Sequence, residues 1–95
     1  MGKSYLSDLT EIEGFKAASL VDANSGKSLA SYGSGIDIDL ASEGNTEVLN
    51  TKRRVVQLLE LDDVIEDILI SLGKEYHLIR PLVKQPNIFL YLVLD

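Results

Sequence analysis

The residues able to do chemistry in this chain are few, and their spacing argues against catalysis. Ser25-Gly26-Lys27-Ser28 copies the end of a phosphate-binding loop, in which backbone N–H groups cradle phosphates and the lysine reaches out to them. That motif requires an earlier glycine where this chain has Val21, and a following helix where Ser28-Leu29-Ala30-Ser31-Tyr32 alternates like a strand. The segment therefore reads as a hairpin turn. His77 is the single histidine, placed mid-strand between Tyr76 and Leu78; it lacks a second histidine for a metal site and a nucleophile to activate, so it reads as structural. Asp37 with Asp39, and Asp62 with Asp63, are carboxylates of the kind that bind divalent cations, but the same residues at these spacings are ordinary helix caps and turn formers. With no cysteine in the chain, thiolate metal sites, disulfides and a cysteine nucleophile are excluded. The sequence assigns no catalytic residue, no cofactor and no metal.

Composition points the same way. The 95 residues carry 9 Lys+Arg against 15 Asp+Glu, a net charge of −6. One small domain spanning residues 1–95 is expected, with a thin core and no deep internal cleft. An acidic chain without a basic stripe is a poor ligand for DNA, RNA or anionic membranes, and no apolar run is long enough to span a bilayer or serve as a signal peptide. A cytoplasmic location is expected.

The periodicity gives the elements. Tyr5, Leu6, Leu9 and Ile12 form a helical stripe over residues 4–12, capped by Ser4. Phe15 to Asp22 and Ser28 to Tyr32 read as the strands of a hairpin. A long helix follows from about Asp37 or Asp39, or from Thr46 if Gly44 and Asn45 delay it, with Ala41, Val48, Lys52, Val55, Val56 and Leu59 along one side. Val64 to Leu72, Glu75 to Leu82 and Asn87 to Asp95 then read as a three-stranded meander, its first turn at Gly73-Lys74. Ile88-Phe89-Leu90-Tyr91-Leu92-Val93-Leu94 is apolar on both faces, the pattern of a central strand. The fold class is α+β, a five-stranded antiparallel sheet with helices on its faces in the order α-β-β-α-β-β-β.

Specific residues carry this further. Ile12 to Ser31, with Gly14, the small-residue strand Ala17-Ala18-Ser19, Asp22 and the Gly26 turn, resembles the opening signature of the roadblock family, the dynein light chain and GTPase-regulator relatives. Leu72-Gly73, Tyr76, Ile79, Arg80 and Pro81, then Ile88 to Asp95, are similar to the family's closing hairpin and last strand. Family members usually carry a third helix after that strand, and this sequence stops at Asp95. The resemblance then implies a sheet face covered by the first helix, by another subunit or by a partner.

What the resemblance implies is a dimerising scaffold or regulator rather than a catalyst, with profilin-like architecture. It implies a homodimer in which the long helices pack across a two-fold axis and the strand after them pairs with its twin, through Val48, Lys52, Val55, Val56, Leu59, Val64, Glu66, Ile68 and Ile70. A tetramer follows if bare sheet faces cover one another. A Ras-like GTPase or other signalling partner would dock on the polar helix surface, at Glu47, Asn50, Thr51, Arg53, Arg54 and Gln57. One of the two adjacent arginines, which point about 100° apart on a helix, could fork onto phosphate oxygens; salt bridges to Glu47 or Glu60 are the blander expectation. The alternative is a longin-like sensor or binding module that uses the open sheet face.

Overall fold

The computed structural model describes residues 6–95. Leu6 and Ser7 are helical and lead into a 3-10 turn, Asp8–Glu11; Ser4 and Tyr5, expected to start that helix, lie outside the described residues. Strands β1 (Phe15–Asp22) and β2 (Lys27–Gly33) form a hairpin, helix α1 runs over Ile38–Leu58, and β3 (Ile68–Ser71), β4 (Tyr76–Pro81) and β5 (Ile88–Leu94) complete the chain. The sheet is antiparallel with the order β2-β1-β5-β4-β3. The strand that is apolar on both faces, β5, is the central one. Phe89, Tyr91 and Val93 pack under α1, while Leu90 and Leu92 pack with Leu6, Ala18 and Leu20 on the opposite face.

The hairpin turn at Ser25-Gly26 is built as its residues dictate. Asp22 accepts the backbone N–H of Asn24 on its side chain at 2.9 Å and that of Gly26 on its carbonyl at 2.7 Å. Ser28, the last residue of the phosphate-loop mimic, shares a hydrogen bond between its hydroxyl and that of Ser19 at 2.7 Å and leads into β2.

Helix α1 starts at the earlier of its expected positions. Asp37 caps it by accepting the Leu40 N–H at 3.1 Å, which satisfies one of the free donors of the first turn. The helix rests chiefly on β2 and β1, where the facing residues are small. Ser19 and Ser42 are fully buried with their hydroxyls 3.5 Å apart, and Thr46 turns its hydroxyl back to the Ser42 carbonyl at 2.7 Å. Asn50 donates to the Ala23 carbonyl at 3.0 Å, which ties the next turn of the helix to the end of β1. Leu49 fills the middle of the core between these polar anchors.

The structure corrects the meander in one respect. Residues 64–67 are not part of β3, which pairs with β4 only from Ile68 opposite Ile79 to Ser71 opposite Tyr76. After α1 the chain passes through Glu60 (φ 55°) and Asp62 (φ 51°), both left-handed. These two turns leave Leu61 to Asp67 outside the strand pairing, with Ile65 still packed against the core, so Val64 and Glu66 sit on a linker rather than on a strand.

Two glycines respond oppositely to a side chain. Gly33 ends β2 at φ +94°, and a Cβ there would lie 2.3 Å from the Lys16 carbonyl oxygen; Gly44 lies within α1 with nothing within 4 Å of such an atom. Gly33→Ala is expected to destabilise the fold by about 1–3 kcal/mol or more, and Gly44→Ala to stabilise it by about 0.5–1 kcal/mol. Chemical denaturation of the two variants checks both signs.

Candidate interaction surface

Because α1 is seated over β1 and β2, its other flank overhangs β3 across an open groove of about 670 Å³, lined by Gly44, Val48, Thr51 and Lys52 of the helix and by Ile65, Asp67 and Ile68. Val48, Lys52 and Val55 follow one another at spacings of four and three, which keeps them on this flank. Ile68 and Ile70 alternate onto the same face of β3 and are half-buried. Among the described residues no strand lies outside β3, so every second residue of Ile68-Leu69-Ile70-Ser71 turns an N–H and C=O outward without a partner strand there. The strand carries no charge and no proline to guard that edge.

Of the residues expected at a dimer interface, the structure brings Val48, Lys52 and Ile68 to one groove, and Val55 and Ile70 are half-buried beyond its lining. Leu59 is the exposed C-cap residue of α1. Val56, Val64 and Glu66 bound a second cleft beyond the start of β3. Of the residues expected to meet a partner, Glu47, Asn50, Thr51, Arg54 and Gln57 are exposed and Arg53 is half-buried. Two of them hold hydrogen bonds within the chain: Asn50 donates to the Ala23 carbonyl, and Arg53 donates through Nη2 to the Pro86 carbonyl at 2.7 Å. Among the described residues neither arginine forms the expected salt bridge to Glu47 or Glu60.

A polar chain that the sequence reading missed crosses the sheet under α1. Lys16 donates through Nζ to Glu75 Oε2 at 2.8 Å, His77 Nε2 meets Glu75 Oε1 at 2.8 Å, and the Tyr91 hydroxyl meets His77 Nδ1 at 3.0 Å. An ionised carboxylate only accepts, so the Nε2 of His77 donates to Glu75. The rings of His77 and Tyr91 also meet edge to face, their centroids 5.5 Å apart. Lys16 reaches this network because a bulge between Phe15 and Ala17 re-aims it. Nothing local in the sequence announces that bulge; the one available signal was that Glu75 and His77, two apart on a strand, share a face. The Tyr91 phenol is raised by burial, and the Lys16 ammonium by its hydrogen bond to Glu75.

The Glu75 carboxyl is held below its ordinary range by its hydrogen bonds from Lys16 and then His77. The unfolded chain thus takes up this proton at a higher pH than the folded chain does. The stabilisation is present above the ordinary carboxylate pKa, near 4.3, and is lost as pH falls through the lower folded value. Glu75→Gln is expected to be less stable than the parent at pH 7, with the gap closing as pH is lowered below about 4. Denaturation midpoints of the two proteins across that range check it.

Among the described residues no three His, Asp or Glu side chains gather into a metal site, and no helix is long and apolar enough to cross a membrane. No protein-family model matches the sequence, and no curated protein does. Solved structures do match the fold. A Roadblock/LC7 domain from Streptomyces avermitilis, 12% identical, superposes with a TM-score of 0.84 over 100% of this chain and 79% of its own. MglB of Myxococcus xanthus, 18% identical, gives 0.78 over 93% of this chain and 70% of its own. The gliding protein MglB from Thermus thermophilus, 15% identical, gives 0.81 over 97% and 69%. The chain has the fold of the Roadblock/LC7 domain.

Proposed function

We propose that the chain is a non-catalytic regulatory scaffold that acts as a homodimer and docks a Ras-like small GTPase, or another signalling protein, on its paired long helices. The observation that carries this reading is the open groove between α1 and β3 beside an unguarded strand edge. A two-fold axis running beside β3 would pair that edge with its twin and close both grooves at once, as an isologous interface requires. Lys52 and the carboxylates of Glu47 and Asp67 line each groove, so the same axis sets opposite charges against one another. A similar fold supports an assembling protein, since an MglB has been solved in a tetrameric arrangement at a TM-score of 0.81 to this chain.

In that dimer Glu47 and Thr51 line the closed groove, and the exposed Arg54 and Gln57 on the outer surface of the helix pair form the partner-docking face. Arg54, not Arg53, is the arginine free to reach a nucleotide phosphate, because Arg53 is spent on Pro86. The acidic chain works in the cytoplasm, without nucleic acid, membrane or cofactor.

Light scattering coupled to size exclusion tests the assembly. The protein is expected to run at a multiple of twice 10.5 kDa, and Val48→Glu, placed on the exposed groove flank, to halve the mass while the far-ultraviolet circular dichroism stays unchanged. A monomer at every concentration, or an unchanged mass for Val48→Glu, contradicts the reading.

A further inference from the structure

A second cleft, which meets the groove at Ile65 and Asp67, lies at the C-terminal end of α1. It measures about 720 Å³; Val56, Val64, Ile65, Pro81 and Leu82 give it apolar walls, and of the charges that also line it Arg80 and Asp67 pair with each other while Arg53 is bonded to the Pro86 carbonyl. It exists because β3 begins only at Ile68, which leaves the linker standing off from the last residues of β4. Pro81 has no N–H to offer there, so another strand is a poor filler for the gap.

The lip of the cleft carries its own complement. Val83, in the loop from β4 to β5, is 95% exposed, and Val64 on the facing wall is 80% exposed. Beside the valine knob stands Lys84; on the linker wall stand Asp63 and Glu66. Among the described residues none of these three is in an ion pair, although Asp63 accepts the Val64 N–H on one oxygen at 2.8 Å. A patch with an apolar knob and an apolar hole side by side, a cation next to the knob and carboxylates next to the hole, is self-complementary. A two-fold axis at the lip satisfies all of it, since each contact then occurs twice.

We infer that a second copy of this chain docks at this cleft, the Val83 of each copy entering the other's cleft and Lys84 facing the other's Asp63 and Glu66. This contact is distinct from the one through α1 and β3 and stands without it. Where both form, they join one dimer to another.

The test is the particle mass of the full chain by light scattering as concentration rises. Val83→Asp and Lys84→Glu, both on exposed loop residues, are each expected to halve the wild-type mass. Reversing the opposite charges, Asp63→Lys with Glu66→Lys, is expected to restore the mass of Lys84→Glu. Masses of Val83→Asp and Lys84→Glu equal to wild type overturn the inference, as does a failure of the reversed charges to restore association. Val48→Glu separates the two interfaces: if it leaves the mass unchanged while Val83→Asp halves it, the α1 and β3 dimer fails and the cleft contact stands.

Discussion

The seat of α1 on the sheet is the constraint from which the other features follow. A helix approaches a sheet most closely where the facing side chains are smallest, and here those are Ser19 and Ser28 on the first hairpin with Ser42 and Thr46 on the helix. Their hydroxyls bond to one another and to backbone, so close packing buries no unsatisfied side-chain oxygen or nitrogen among the described residues. The helix is drawn toward the β2 side, and the opposite half of the sheet face is left to a flank of Val48, Lys52 and Val55 that touches little of it. The groove over β3 results from that asymmetry.

The same asymmetry makes β3 and β4 the loosely covered half of the molecule, and two devices hold them. From below, Glu75 ties the start of β4 to Lys16 on β1, with His77 and Tyr91 continuing the tie to β5. From above, Arg53 bonds the end of α1 to Pro86, and Arg80 pairs with Asp67 at 2.9 Å to fix the linker against β4. The Arg80 pair is exposed and contributes little on its own. The partly shielded network around Glu75 does more to fix register, because its carboxylate has two donors with defined geometry.

Much of this was legible in the sequence, for local reasons. Ile88 to Leu94 is apolar at both parities and lies at the centre of the sheet; Asp22 to Lys27 carries turn chemistry and makes the turn; Asp37 is an N-cap and caps. What escaped was decided by distant contacts or by backbone dihedrals. Val64 to Asp67 has strand-like residues, yet left-handed Glu60 and Asp62 send it off the sheet, and neither is a glycine that would have marked the turn. Lys16 sits in a strand whose alternation would point it away from Glu75, and only the bulge brings the two together. On the helix, Asn50 and Arg53 carry the same polar pattern as Glu47 and Arg54, and hydrogen bonds to the distant Ala23 and Pro86 carbonyls are what separate them.

The central claim is that the free edge of β3 is an interface. Backbone amide hydrogen exchange at Ile68–Ser71 tests it most directly, because outward N–H groups on an unpaired edge exchange freely while those bonded to a twin strand do not. The account predicts that alternate amides of this strand are protected at high protein concentration and lose protection on dilution, in step with the fall in particle mass. Fast exchange at every concentration, with the particle still assembled, would contradict it.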